Sequence, residues 1–174
     1  MKIKLSSVKD ALFISEYYLE NAEHLEPWEP IREPGYHDIS SWKSRLEMRE
    51  LEQSQGQAAY FLAYADDSSK IVAVCNLTSI VRGPFQACYM GYSVSRQHQG
   101  QGIMKMLCQH ALDYAFNSLN LNRVMANYIP HNVRSEYLLK SLGFEKEGLA
   151  KKYLCINGQW EDHILTAIIN PKNR

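Results

Sequence analysis

Apolar and polar positions recur along the chain at two periods, and the switches between those periods lay out its elements. Ile3 and Leu5 alternate with lysines, which predicts a short opening strand. Ser7 stands where a cap would start a helix with the stripe Ala11, Leu12, Ile14, Ser15, Tyr18 and Leu19. Between Glu23 and Asp38 the periodicity breaks, because Pro27, Pro30, Pro34 and Gly35 exclude a continuous helix. A second amphipathic helix begins at about Ile39 and runs through Trp42, Leu46, Met48 and Leu51. Three strand-like runs follow: Ala58 to Ala65, Ile71 to Ile80, and Ala87 to Val94. Their linkers, Asp66-Asp67-Ser68-Ser69 and Arg82-Gly83-Pro84, have turn chemistry and predict an antiparallel meander.

After Gly102 a helix carries Ile103, Met106, Leu107, Ala111, Tyr114 and Ala115 on one side. Arg123 to Tyr128 reads as a strand, and Asn132 to Leu142 as a helix stopped by Gly143. Two closing strands, Phe144 to Ile156 and Trp160 to Ile169, flank the hairpin dipeptide Asn157-Gly158. The order β-α-α-β-β-β-α-β-α-β-β has no internal repeat, low-complexity tract or linker. It predicts one mixed α/β domain over residues 1–174.

Composition narrows the classes. The 174 residues balance 19 Lys+Arg against 19 Asp+Glu, so there is no cationic surplus for direct nucleic-acid binding. A hydrophobic fraction of 45% suits a packed core rather than a disordered chain. The opening residues lack the apolar core of a signal peptide, and no run reaches the ~18 to 20 apolar residues of a membrane span. The cytoplasm is therefore the expected location. Cys75, Cys88, Cys108 and Cys155 are far apart among apolar neighbours and read as small buried thiols. The six histidines lack ligand spacing, so no metal is expected.

The stretch richest in chemistry is Gln97-His98-Gln99-Gly100-Gln101-Gly102, between a strand and an amphipathic helix. Its glycines let the backbone turn tightly and aim successive N–H groups at one point, where the helix dipole adds positive potential. That is an anion cradle. It is not a P-loop, because Ile103 and Met104 follow Gly102 where Lys and Ser/Thr are needed. A Rossmann turn needs a small residue where Lys105 stands.

Gln97, Gly100 and Gly102 match the phosphate loop Gln/Arg-x-x-Gly-x-Gly/Ala, and Asn132-x-x-Ser135 with Leu142-Gly143-Phe144 forms a second block. On these residues and on its element order the chain resembles the GNAT acetyltransferase superfamily. The resemblance implies a mixed, mostly antiparallel sheet of about seven strands flanked by about four helices. Blocks such as Leu25-Glu26-Pro27-Trp28-Glu29-Pro30 and Gly158-Gln159-Trp160 are similar to acetyltransferases of a ribosomal protein's N-terminal alanine. They imply acetyl-CoA as cosubstrate and a ribosomal-protein N-terminal tail as acceptor.

By the same resemblance, the pyrophosphate of CoA lies on the backbone of Gln99, Gly100, Gln101, Gly102 and Ile103. The pantetheine arm pairs with the strand around Tyr92 to Val94, where an N–H faces the thioester oxygen. Asn132 reads both as a helix N-cap and, by resemblance, as an amide holding the pantetheine. The resemblance makes Ser135 the proton donor to the leaving thiolate. The tyrosine that some relatives use is replaced by Leu139, and Tyr137 is expected to face the core. Glu29, with Glu26 second, is the candidate base, acting through water.

Seven acids against the single base Arg32 lie between Glu16 and Asp38. Glu26, Trp28, Glu29 and Glu33 in its proline-broken loop are expected to wall the acceptor groove and attract a cationic tail. Two other readings stand beside this one: an acetyltransferase of a small amine, and a non-catalytic CoA-binding module associated with the ribosome. Monomer and dimer are both compatible with the sequence.

Overall fold

The most uniformly apolar runs lie in mid-sheet, covered on both faces. A computed structural model of the chain describes residues 1–66 and 70–173. Strand β1 spans Lys2–Leu5, β2 Ala59–Tyr64, β3 Ile71–Val81 and β4 Ala87–Val94. Every position of β2 is buried, as are the first five of β3. On one face Leu62, Tyr64 and Val74 meet helix α1 (Ala11–Glu20) and helix α3 (Ile39–Ser54) through Ile14, Tyr17, Trp42 and Leu46. The one-turn helix α2 (Ala22–Leu25) lies between those two in sequence. On the other face Phe61, Cys75 and Leu77 pack with Leu107 and Ala111 of α4 (Ile103–Asp113) and Leu139 of α5 (Val133–Leu142). A sheet buried twice does not need to alternate, so its strands read as continuous apolar runs.

Seven strands form one sheet in the order β1-β2-β3-β4-β5-β7-β6, with β5 at Arg123–Met125, β6 at Glu145–Ile156 and β7 at Gln159–Ile169. Only β4 and β5 run parallel, joined by the crossover through α4. The predicted element order holds, with α2 added as a fifth helix. The expected 66–69 turn is described only at Asp66; residues 67–69 lie outside the described residues. The hairpin at Asn157-Gly158 has φ of 44° and 76°, the left-handed pair that a tight two-residue turn requires.

Several apolar positions depart from the predicted stripes. Leu12, Leu19, Met48, Leu51 and Met106 are exposed, and Tyr17 is buried in α1. The buried face of each helix, turned to the sheet and to the neighbouring helix, is narrower than its apolar residues would cover. Cys155 is exposed, whereas Cys75, Cys88 and Cys108 are buried as expected.

The predicted strand 123–128 is paired to β4 over only three residues, Ala87–Tyr89 with Arg123–Met125. The chain then turns towards β7, where Tyr128 pairs with Ile164. The C-terminal half of β4 is left bonded on its β3 side alone. Ser95 N–H donates to Val72 O at 2.9 Å, which sets the phase of that ladder. By antiparallel alternation, Gly91 and Ser93 bond to β3, while the N–H groups of Tyr92 and Val94 face the opening.

At the start of the chain the buried Asp10 gathers Lys4 Nζ (2.5 Å), Tyr64 OH (2.7 Å), and the N–H and hydroxyl of Ser7 (2.8 and 3.0 Å). Burial alone would raise its pKa, but the donated hydrogen bonds outweigh it and hold the carboxyl below its ordinary value. A lowered pKa contributes stability above the unfolded value and loses it as pH falls through the folded one. Asp10→Asn is expected to cost about 2 to 3 kcal/mol at pH 7. Urea unfolding should show that difference shrinking as pH falls below about 4.

Candidate active site

The parting of β4 from β5 opens a cleft of about 1130 Å³. Met90 to Val94 form one wall, the Gly100–Ile103 turn one end, and the first turn of α5 the opposite wall. Tyr18, His37 and Trp42 close the other end, towards α1 and α3. A smaller cleft of about 460 Å³ shares Tyr18, Leu25, Glu29, Pro30, Arg32 and His37 with it.

Gly100 and Gly102 have φ of 73° and 76°, so the loop takes a backbone path that L side chains rarely adopt. A Cβ at either position would meet no atom within 4 Å, so the space above the turn is open. Gly102 is the N-cap of α4, whose first N–H groups have no intrahelical partner and face this space. Gln99 braces the turn from both sides: its Nε2 meets His24 Nε2 at 2.9 Å and its Oε1 accepts from Arg134 Nη1. Gln97 and Gln101 are exposed and do not line the cleft. Gln101 Nε2 instead donates to Gln97 O at 3.1 Å, closing the loop on its outer side. Their side chains shape the turn from behind.

Across the opening, Tyr92 OH and Ser135 Oγ are 2.8 Å apart. Burial pushes the Tyr92 phenol well above its ordinary pKa, against the opposing influence of Ser135, so it remains protonated. This side-chain pairing was not visible in the sequence, where Tyr92 was expected to serve only through its backbone. Asn132 Oδ1 accepts from Ser135 N–H at 3.1 Å and caps α5. The cap engages only the carbonyl end of that amide, leaving its NH₂ as a donor at the cleft. Tyr137 corrects its expectation: it is 71% exposed at the cleft rim, while Leu139 takes the buried face of α5.

Glu29 follows the 3₁₀ turn Glu26–Trp28 and borders both clefts. Its carbonyl accepts from Asn157 N–H at 2.8 Å, tying the proline-broken loop to the β6–β7 hairpin. Burial raises the Glu29 carboxyl pKa, opposed by Arg32. Trp28 lies 5.6 Å, ring to ring, from His131. Glu26 lines only the smaller cleft, and Glu33 is exposed and lines neither.

The acidic segment therefore does not form a uniformly negative wall. Helix α3 brings Arg45 and Arg49 to the same end of the cleft as Arg32. Burial, then Arg45 and Arg32, pull His37 down to about 4, so it is neutral at pH 7. None of the four cysteines lines the cleft, and no group of three or more His, Cys, Asp or Glu able to hold a metal occurs among the described residues.

Comparison with known proteins agrees with this architecture. Residues 7–145 match the family model of the acetyltransferase (GNAT) domain. The [Ribosomal protein uS5]-alanine N-acetyltransferase of Escherichia coli is 45% identical over 169 residues, covering 97% of this chain and 87% of that protein. The crystal structure of the ribosomal-protein-S5-alanine acetyltransferase of Vibrio fischeri superposes with a TM-score of 0.95 at 41% identity. It covers 99% of this chain and 94% of its own. Mycobacterium smegmatis RimJ in complex with CoA-disulfide superposes at 0.91 with 30% identity, over 98% of this chain and 82% of its own. The matched domain and the opened sheet lead to one conclusion: the chain belongs to the GNAT acetyltransferase family.

Proposed function

We propose that this enzyme transfers the acetyl group of acetyl-CoA to the N-terminal α-amine of an alanine-starting ribosomal protein of the uS5 type, in the cytoplasm. The carrying observation is one continuous cleft joining the glycine turn, the unpaired edge of β4 and the Tyr92–Ser135 pair. The relatives' acceptor then chooses among the amines such a cleft can serve.

The residues present fit CoA. The N–H groups from Gln99 to Ile103 receive its pyrophosphate in the open space over Gly100 and Gly102. Tyr92 and Val94 offer an unpaired strand edge to the pantetheine amides, and the free NH₂ of Asn132 reaches them from α5. Acetyl-CoA bound there supplies an activated acyl group. A β4 N–H stabilises negative charge developing on the thioester oxygen. Ser135 protonates the departing sulfur and regains its proton from solvent, while the hydrogen bond to the neutral Tyr92 phenol holds its hydroxyl in place. A thiol of pKa ~8.5 leaves without full protonation, so this donor accelerates the step without being indispensable.

The acceptor amine has a pKa of ~7.7–8.0 and is partly neutral at pH 7, so a modest base suffices. Glu29 takes the proton through water, with its carboxylate at the junction of the two clefts. Trp28 and Glu26 line the path by which the tail leaves, and Glu33 lies beyond both clefts.

Three outcomes test this scheme. Intact-mass analysis should show one added acetyl on an alanine-starting uS5 peptide and none on spermidine; the reverse would overturn the acceptor assignment. Ser135→Ala should lower kcat about ten- to hundredfold with little change in peptide KM. Asn132→Ala should lose about 1 kcal/mol of stability, which Asn132→Ser restores. Pantetheine binding requires the amide, so the Ser variant should keep a weakened CoA affinity.

Because burial raises the Glu29 pKa, its basic form appears at higher pH than that of an ordinary glutamate. The kcat profile should therefore rise with pH through that value. Glu29→Gln should abolish this limb and fold at least as stably at pH 7, where ionising a raised carboxyl costs folding energy.

A further inference from the structure

The acceptor end of the cleft is acidic by sequence count and cationic by construction. The Arg45 guanidinium carbon lies 3.7 Å from the Tyr36 ring centre and 3.8 Å from that of Trp42. Arg32 stands 4.5 Å from the same Tyr36 ring, and Arg49 stands 5.1 Å from Trp42 and 4.1 Å from Tyr60. Three guanidinium groups thus converge on one set of rings, and none has an ion-pair partner among the described residues.

Buried N–H groups without a partner cluster at this end. Arg45 gives one N–H to Tyr36 O, while its Nε and Nη1 are buried without a partner. Trp42 Nε1 and His37 Nδ1, a few ångströms away across stacked rings, are buried and unpartnered as well. Buried donors without acceptors are costly, and mutually repelling cations beside them add to that cost. The acids nearby do not neutralise the group. Glu52 is engaged by Tyr60 OH at 2.6 Å, Glu29 acts on Arg32 without forming an ion pair with any of the three, and Glu33 and Asp38 are exposed. The aromatic faces supply partial compensation, and an anion brought by the substrate to Arg32 and Arg49 would offset the mutual repulsion of the cations.

Arg32, Arg49, His37 and Trp42 line the cleft, and Arg45 stands behind them. The glycine turn starts α4, on the other face of the sheet from α3, and already offers N–H groups to phosphate, so the anion taken at the arginines is assigned to the acceptor. We propose that Arg49 and Arg32, backed by Arg45, form a carboxylate-binding subsite that selects an acidic side chain close behind the acceptor's N-terminal residue. The proposal rests on the peptide-acceptor reading above and refines it: the first residues after alanine carry an acid, whatever the charge of the tail beyond.

The test uses alanine-starting peptides with Glu or Gln at position two, three or four, which spans about 10 Å of extended chain. For each, kcat/KM is measured, and calorimetry on the enzyme–CoA complex gives the peptide Kd. At one position the Glu peptide should be favoured about tenfold or more, as a charge-assisted contact implies. Arg49→Gln and Arg32→Gln should each cut that ratio severalfold, while Arg49→Lys keeps part of it. Thermal protection by CoA verifies that each variant is folded.

Equal Kd and kcat/KM for Glu and Gln peptides at all three positions would overturn the subsite, as would ratios unchanged in both Gln variants. Loss of CoA affinity matching the loss of peptide affinity would assign the arginines to the cosubstrate instead. Failure of the acceptor reading looks different: no peptide is acetylated, and the calorimetric ratio alone then decides the subsite.

Discussion

Three residues of parallel pairing between β4 and β5 are the constraint on which the site depends. A longer ladder would close the sheet and consume the N–H groups of Tyr92 and Val94. The chain after Met125 crosses instead to β7, and the opened seam becomes a cleft with one strand edge unsatisfied. An unpaired edge inside a protein is ordinarily a liability. Here it is covered by helices on both sides and is the surface on which an extended ligand can add as a strand.

The two ends of that seam are specialised by different physics. At one end, backbone conformation dominates: two left-handed glycines and a helix start gather N–H groups without any charged side chain in the turn. At the other end, side chains dominate, with arginines stacked on Tyr36, Trp42 and Tyr60. Between them the hydroxyls of Tyr92 and Ser135 bridge β4 to α5 across the middle of the cleft. Glu29 sits where the large and small clefts meet, anchored through its carbonyl to the β6–β7 hairpin. Glu29 is therefore positioned by the hairpin as well as by its own loop, which three prolines leave without regular bonding.

Much of the site was legible as sequence because its elements announce themselves locally. The glycine turn, the cap at Asn132, the stop at Gly143 and the Asn157-Gly158 turn each depend on conformations that few residue types adopt. The expected role of Ser135 came from family resemblance and that of Glu29 from the modest base an α-amine needs, and both residues line the cleft. What stayed hidden involved partners distant in the chain. The Tyr92–Ser135 bond spans 43 residues, and the arginines of α3 reach the rings of Tyr36 and Trp42 from outside the acidic segment. Tyr137 was misassigned because helical spacing alone does not say which face meets the sheet.

The sequence by itself determined the element order, the family resemblance and the glycine turn before α4, since periodicity, motif and glycine conformation are properties of neighbouring residues. It also carried the overall neutrality and the acidic count from Glu16 to Asp38. Only the tertiary structure decided what that count means at the site. Electrostatic fields follow distance through space and depth of burial rather than position in the chain. Folding moved Glu33 outside both clefts, placed Glu29 beside Arg32, set Arg49 in the cleft wall and stacked Arg45 on the rings behind it.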